Sequence, residues 1–321
     1  MRYVLQRLGQ LAIVLVAVTF LTSTAMRFLP GGADGIIAVT KGAGASPEEV
    51  ARIKRELGLD RNVVVQWLSW TKDFFTFDWG NTLTTNQSIV TTLRRSLPVS
   101  LYLMIYGQLL ALAVAIPVAI WSAYRQNSTF DRAATTMAFA GLAAPNYIVA
   151  PVLILLFCVQ RKWIPFPSTY AGLWDRPLDH FKAFVLPSVT IAIPLFAGYM
   201  RLLRADLINT LQSDFITTAR AKGVSTFRLL FGHALRPSLF SLITAAAVNI
   251  GALMGGVFIV EGVFDLNGMG AVTVQSIFTR EYTLVQYGVA IIAVIYVLTN
   301  FLVDISYGWL DPRVRAGRAL S

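Results

Sequence analysis

The sequence predicts an all-α polytopic membrane protein: six transmembrane helices, both termini cytoplasmic, and a long extracytosolic loop after the first helix. Composition is the first observation behind this. The 321 residues are 55% hydrophobic and only 14% charged, against about 45–50% and about 25% in soluble domains; mean hydropathy is +0.61. Arrangement is the second. The apolar residues fall in blocks near the roughly 20 residues that cross a hydrocarbon core, where every backbone amide must be satisfied within its own segment, so such blocks become helices. The third is an excess of lysine and arginine in the short loops of one side.

The first span runs from about Leu8 to Leu29, behind Arg2 and Arg7. A basic start before an apolar stretch also fits a signal peptide. The length of the stretch and the poor cleavage site around Thr24-Ala25-Met26 favour a retained helix, so residues 1–29 are an N-terminal transmembrane helix. Residues 30–96 change character and form an extracytosolic lobe. Ser46, Pro47 and Glu49 read as N-cap, first-turn proline and capping-box acid of a short helix that stops at Gly58. Trp67, Trp70, Phe74, Phe75, Phe77 and Trp79 then suit a lobe resting on the membrane interface.

Residues 97–310 form a five-helix core with a cytoplasmic loop at 206–237, and residues 311–321 a cytoplasmic tail. The second span covers about Pro98 to Tyr124, and a polar turn from Arg125 to Arg132 follows. The third runs from about Ala133 to Gln160, interrupted by Pro145 and Pro151. After a polar loop from Arg161 to Phe184, the fourth covers about Val185 to Leu203. The fifth is about Ser238 to Val260 and the sixth about Leu284 to Trp309, with a loop containing Asn267-Gly268-Met269-Gly270 between them. Pro117, Pro145, Pro151 and Pro194 each remove a helix hydrogen bond and can kink their spans. Gly251 and Gly255, continuing back to Ala247, would let a neighbouring helix approach the fifth span closely.

With the N-terminus cytoplasmic, that side holds Arg2, Arg7, Arg125, Arg132, Arg313, Arg315 and Arg318. Between the fourth and fifth spans it adds Arg201, Arg204, Arg220, Lys222, Arg228 and Arg236, against only Asp131, Asp206, Asp214, Asp304 and Asp311 on the whole side. Bases on the other side lie mostly in the long first loop, which counts little, although Arg161, Lys162, Arg176 and Lys182 run against the trend.

The formal charge of +10 does not indicate nucleic acid, because the bases are scattered between spans and form no stripe or motif. Cys158 has no partner for an intrachain disulfide and reads as a buried structural thiol. His180 and His233 are far apart, and no cluster suggests a metal. There is no G-x-x-x-x-G-K-[ST] phosphate loop and no nucleophile–base arrangement, so no catalytic residue is assigned. Gln108, Asn146, Asn249 and Asn300 lie within spans, where polar groups face a protein interior or an aqueous cavity. They are substrate-path candidates; hydrogen bonding between helices is the plainer reading.

One cytoplasmic stretch stands apart: Asp214-Phe215-Ile216-Thr217-Thr218-Ala219-Arg220-Ala221-Lys222-Gly223. It has helical periodicity and a glycine stop. Ser225 can cap a second helix with Phe227, Leu230, Phe231 and Ala234 on one face. A short exposed helix with small residues and a basic flank suits insertion into a groove on another protein. A helix lying on the lipid surface explains it equally well.

Thr218-Ala219-Arg220-Ala221-Lys222-Gly223, ahead of His233-Ala234-Leu235-Arg236-Pro237, resembles the cytoplasmic signature loop of ABC importer permeases, in the form carried by the dipeptide/oligopeptide/nickel group. On the general pattern of Glu-Ala-Ala, three residues, Gly, nine residues, Ile-x-Leu-Pro, Gly223 and Leu235 match and Ala219 takes the second alanine. Thr217 replaces the glutamate, His233 replaces the isoleucine, and Pro237 falls one position late. Leu57-Gly58-Leu59-Asp60-Arg61 and Asp78-Trp79-Gly80-Asn81-Thr82 resemble the first extracytosolic region of the group's B-type subunit. Arg95-Ser96-Leu97-Pro98, Glu261-Gly262-Val263-Phe264 and Leu310-Asp311-Pro312-Arg313 resemble later parts of it.

The resemblance implies the transmembrane permease of an ATP-driven importer in a prokaryotic cytoplasmic membrane, forming half of a pathway for peptides. The implied partners are a second homologous permease chain, two cytoplasmic ABC ATPase subunits or domains, an extracytosolic substrate-binding protein and membrane lipid, with no nucleic acid. This chain would bind no cofactor; ATP and Mg would sit on the ATPase subunits. Asp214, Phe215, Ile216, Thr218, Ala219, Arg220, Ala221, Lys222 and Gly223 would couple to the ATPase. Phe215 and Ile216 would be apolar anchors, Ala219 and Ala221 would allow close approach, and Arg220 and Lys222 would make polar contacts. The alternative is a secondary transporter of small polar solutes driven by an ion gradient. It lacks the inverted repeat and the midplane carboxylates expected of that class.

Overall fold

The computed structural model describes residues 2–25, 48, 55, 61–82, 85–167 and 172–310, with side chains throughout except at 2–8 and 303–310. Of the expected helix from Ser46 to Leu57 only Glu48 and Arg55, both helical, are among the described residues, and the tail at 311–321 lies outside them. Those residues are almost entirely helical, and Asn81 and Ser88 meet in an isolated antiparallel bridge. By length and composition four helices can cross a membrane: Ile89–Tyr124, Pro177–Leu211, Arg228–Gly256 and Tyr282–Leu302. A bent pair, Thr129–Ala143 with Asn146–Gln160, makes a fifth if it counts as one span. The first expected span is helical as α1, Arg2–Ala25; its continuation to Leu29 is outside the described residues.

The chain divides into two compact units. Unit 1 is Met1–Ser100 with Asn267–Phe301, and unit 2 is Leu101–Leu266 with Leu302–Ser321. In unit 1, α2 covers Val63–Thr76, starting where the Asn62 side chain accepts a hydrogen bond from the Val64 amide at 2.9 Å. It ends on Phe77 in a left-handed conformation, φ 58°. The Trp67 indole donates to Thr19 Oγ1 at 3.2 Å and meets Phe20 edge-on, which fastens α2 to α1. The aromatic residues expected at an interface form a stack: Phe74 on Trp79 and Trp79 on Tyr287, at 5.6 and 4.9 Å between ring centres. The Trp79 indole donates to the Phe74 carbonyl at 3.0 Å.

Helix α3 covers Ile89–Tyr124, starting about two turns before the predicted edge at Pro98. Within the loop expected between Val260 and Leu284, residues Met269–Phe278 form a helix, α10. Its first amide is satisfied by Ser100 Oγ at 2.7 Å, which supplies the partner that the Gly268 cap lacks. Helix α11, Tyr282–Leu310, follows. Gly288 lets it press on α10, since a Cβ there would collide with Thr273.

Unit 2 is built from α3 beyond Leu101, α4 (Thr129–Ala143), α5 (Asn146–Leu153), α6 (Pro177–Leu211), α7 (Asp214–Ala221), α8 (Leu235–Gly256) and α9 (Phe258–Val263). Two π-helical stretches, Ile154–Gln160 after α5 and Arg228–Ala234 before α8, complete it. The third expected span is therefore two helices meeting at 103°. Ala144 precedes Pro145 and is extended, φ −90° and ψ 106°, because proline disfavours the helical conformation before it. Elsewhere the prolines do not break the rods: α3 runs through Pro117, and α6 through Pro187 and Pro194. The fourth expected span is likewise too short, for α6 takes in Pro177 to Leu211 and places Arg201 and Arg204 inside the helix, not in a loop.

Alanines line the interior of unit 2. Ala111, Ala115, Ala119 and Ala123 of α3 recur every four residues, and with Ala134, Ala138 and Ala197 they belong to one buried cluster. Close approach follows: a Cβ on Gly107 would stand 2.9 Å from Ile191 Cγ2. Gly251 of α8 is buried, but Gly255 faces open space, so only one end of the expected small-residue pair packs within this chain. Cys158 is half-buried, not buried, and no residue of its π-helical stretch is fully covered by the chain's own helices.

Candidate functional site

The residues expected to couple to an ATPase lie together at the end of α6, most of them exposed. Two residues, Gln212 and Ser213, separate Leu211 from α7. The turn is tight: Ser213 Oγ donates to the Thr210 carbonyl at 2.6 Å, and the Ile216 and Thr217 amides reach back to the Ser213 carbonyl. Helix α7 then ends as the sequence anticipates. Gly223 is left-handed, φ 75°, its amide donates to the Arg220 carbonyl at 3.0 Å, and Val224 donates to Ala219 at 3.2 Å. Together these close a Schellman turn.

The two apolar anchors separate. Phe215 is half exposed, but Ile216 is fully buried in the alanine-lined cluster. The expectation that both face outward is corrected: on so short a helix, Ile216 lies on the side that holds α7 to its own unit. Asp214, Thr218, Arg220, Ala221, Lys222 and Gly223 are exposed, and Ala219 is half-buried. Asp214 sits at the helix start and Arg220 near its end, each favourably placed against the helix dipole.

The second helix of the loop differs from its sequence periodicity. Phe227 and Phe231 are exposed and stack on one another at 4.6 Å, while Leu229, Leu230 and Ala234 are buried. Residues 228–234 are π-helical, and the wider turn rotates successive side chains away from the 3.6-residue stripe that would have grouped Phe227 with Leu230 and Ala234.

Of the four intramembrane amides, two come together. Asn249 Nδ2 donates to the Tyr199 hydroxyl at 3.0 Å, Tyr199 donates to Gln108 Oε1 at 3.0 Å, and Gln108 Nε2 donates to the Ala246 carbonyl at 3.3 Å. This directed chain stitches α8, α6 and α3. Tyr199 was not singled out in the sequence, since a tyrosine in an apolar run carries no signal of its own. Asn300 bonds the Tyr296 carbonyl of its own helix at 2.9 Å. Asn146 begins α5, and its buried Oδ1 has no hydrogen-bond partner. None of the four borders the apolar cavity of about 390 Å³ lined by Tyr106, Leu110, Phe181, Lys182, Val185 and Ser188.

A second polar cluster, also not anticipated, lies at the α3–α4 turn. Arg204 of α6 forks onto Asp131 of α4, Nε to Oδ1 at 2.6 Å and Nη2 to Oδ2 at 2.8 Å. Ser122 of α3 donates to Oδ1, and the Asn127 amide donates to Oδ2 at 2.8 Å. In the sequence Asp131 and Arg204 were only members of a charge count.

Outside the spans, burial and the neighbouring Asp78 push the Asp73 carboxyl above its ordinary value, with Lys72 opposing. Among the described residues, no group of three or more His, Cys, Asp or Glu side chains gathers to hold a metal.

Comparison with known proteins accounts for nearly the whole chain. The family described as the N-terminal part of the binding-protein-dependent transport system membrane component matches residues 1–104, and the family of the inner membrane component itself matches residues 115–316. A putative peptide transport system permease protein of Brucella abortus is 34% identical over 97% of this chain and 98% of its own length. The dipeptide transport system permease protein DppB of Bacillus subtilis is 31% identical over 98% of each chain. The oligopeptide transport system permease protein OppB of Mycobacterium bovis is 32% identical, over 98% of this chain and 99% of its own. This chain belongs to the family of binding-protein-dependent transport system inner membrane components, the permease subunits of ABC transporters.

Proposed function

We propose that the chain is the permease subunit of an ATP-driven importer of peptides, and that α7 is the lever on which an ATPase partner acts. The near end-to-end similarity to peptide, dipeptide and oligopeptide permeases carries the cargo class. The stiffness of the α6–α7 junction carries the lever: an ATPase shifts a pathway only through an element whose contacts differ between its two states. A rod that turns within two residues into a helix, itself fastened by Ile216, transmits displacement without bending. Phe215, Arg220, Lys222 and the small Ala219 and Ala221 meet the partner's groove.

The assembly has a second permease chain, two ATPase subunits or domains holding ATP and Mg, and an extracytosolic binding protein. The chain crosses the membrane six times with both termini inside: α1, α3, the bent pair α4–α5, α6, α8 and α11. The bend at Ala144–Pro145 is part of the third crossing.

Uptake of labelled di- and oligopeptides by proteoliposomes holding the assembled transporter tests the reading. ATP inside the vesicle or on the ATPase side should drive uptake, and collapsing ion gradients should not stop it. Gly223→Pro and Ala219→Asp should abolish uptake and binding-protein-stimulated ATP hydrolysis while the chain stays in the membrane. Unchanged uptake and stimulation in both variants would remove α7 from the lever role.

A further inference from the structure

We infer that Asp131 and Arg204 are positioning residues that lock the lever rod α6 to the α3–α4 turn, so that α3, α4 and α6 move as one body when α7 is displaced. This rests on the reading of α7 as the lever.

The apolar contacts among these helices bring them close without fixing how they slide. On the α3 side they include alanines at every fourth position, Ala111 to Ala123, with Ile120 beside them; on α4 they are Ala134 and Ala138. Small side chains make shallow ridges, and shallow ridges resist translation poorly compared with deep interdigitation. Register must come from a directional contact. The Arg204–Asp131 fork supplies one, because two parallel hydrogen bonds specify both distance and angle.

Its surroundings are organised around the carboxylate. Asp131 is almost completely buried and Ser122 completely so. The Ser122 hydroxyl donates to Oδ1 and also accepts from Arg204 Nε at 3.0 Å, which binds α3 into the same knot. The Asn127 amide closes on Oδ2, Asn127 being left-handed at φ 64°. Ser128 caps α4 by accepting from the Asp131 amide at 3.2 Å. Three helices and their connecting turn thus share one carboxylate.

Placement gives the knot its purpose. Arg204 lies about two turns before α6 ends and α7 begins, on the segment that first feels a push on α7. With the carboxylate buried and Arg204 partly so, desolvation offsets much of the attraction and the pair adds little net stability; fixing register is the best-attested use of such pairs. Nearby, Arg201 lies over the Phe139 ring at 4.5 Å, and Thr210 bonds Ser238 of α8 at 3.0 Å. The Tyr199–Gln108 and Tyr106–His180 bonds tie α6 to α3 further along the helices, but neither takes in α4; the Asp131 knot holds α3, α4 and α6 at one point.

The test is a distance read in two states. Spin labels go at Gln126→Cys in the α3–α4 turn and Gln212→Cys after α6, both exposed positions, in a Cys158→Ala background and in the assembled transporter. With Arg204 present, the separation should be the same without nucleotide and with ATP trapped. With Arg204→Gln it should differ between the states by more than about 2 Å, and uptake should fall roughly 2- to 30-fold. If Arg204→Gln fails to assemble, Arg204→Lys, which keeps the charge but loses the fork, takes its place. A state-dependent separation in the parent, or a variant with the parent's constant separation and uptake, overturns the clamp. Failure of the lever reading shows elsewhere: the ATPase then binds and is stimulated normally despite Gly223→Pro.

Discussion

Tyr199 is the residue on which the polar interior of unit 2 depends. Its hydroxyl is the one group that both accepts from Asn249 and donates to Gln108, and Tyr199 is almost fully buried. Tyr199→Phe keeps the ring and removes both bonds, leaving Gln108 Oε1 buried without that donor. An unsatisfied buried acceptor costs about 1–3 kcal/mol, so the midpoint of thermal unfolding in detergent should fall clearly. Asn249 is only half-buried and can turn to another partner, so Asn249→Ala should cost less; equal midpoints for Tyr199→Phe and the parent would show that the chain carries no stability. The sequence reading flagged Gln108 and Asn249 as polar groups out of place in lipid, and the link between them makes packing a sufficient account of both. Asn146 keeps its place as a pathway candidate, because its Oδ1 is buried and unpartnered. What the sequence left invisible at this scale is pairing across long separations: Asp131 and Arg204 look like ordinary loop charges until α6 is seen to extend through Arg204.

At the scale of elements, helices were legible and their edges and interruptions were not. Apolar block length located α3, α6, α8 and α11, but a transmembrane helix does not stop where its hydropathy does. Ile89–Leu97 and Pro177–Phe184 are amphipathic extensions that bury Ile89, Leu93 and Phe184. Proline marked possible kinks at several sites. Only the Ala144–Pro145 junction broke, and nothing local distinguishes it from Pro187 or Pro194, whose flanks are held in one helix by packing. The glycine stop of α7 was fully legible, since a left-handed residue closing a Schellman turn is a local requirement. Which face of α7 turns inward was not local, and it leads to a direct comparison. Phe215→Ala should leave the fold intact and weaken ATPase docking, measured as reduced co-purification of the ATPase. Ile216→Ala opens a cavity in the alanine-lined cluster and should destabilise the chain by about 2–5 kcal/mol, lowering the unfolding midpoint. If the two variants exchange these phenotypes, the assignment of the inward face is wrong.

For the whole molecule, the direction in which the helices thread the membrane determines whether α7 can meet a nucleotide-driven partner at all. The charge bias of the sequence favours a cytoplasmic side for the α3–α4 turn and the α6–α8 connection, and the proposed threading rests on it. The bases that opposed that bias look different once placed. Arg161 lies over the Trp163 ring at 5.3 Å, an arrangement suited to an interface, where aromatic rings gather and cation–π contact is favourable. Arg176 immediately precedes α6, and Lys182 lies in its second turn. Placed at or near the start of α6 or over an aromatic ring, they weigh less against the proposed threading than a free basic loop would. Six crossings then require the segments around Asn86 and Trp174 to face outward, and Gln126 and Thr217 to face inward. Single cysteines at these four exposed positions, in a Cys158→Ala background, report the threading through a membrane-impermeant maleimide. Asn86→Cys and Trp174→Cys should react in intact spheroplasts; Gln126→Cys and Thr217→Cys should react only after the membrane is opened. Reaction of Thr217→Cys from outside would place the lever on the wrong face of the membrane, beyond reach of any cytoplasmic ATPase. Outward reaction of both Gln126→Cys and Trp174→Cys, with Asn86→Cys protected, would show instead that the bent pair α4–α5 re-enters without crossing.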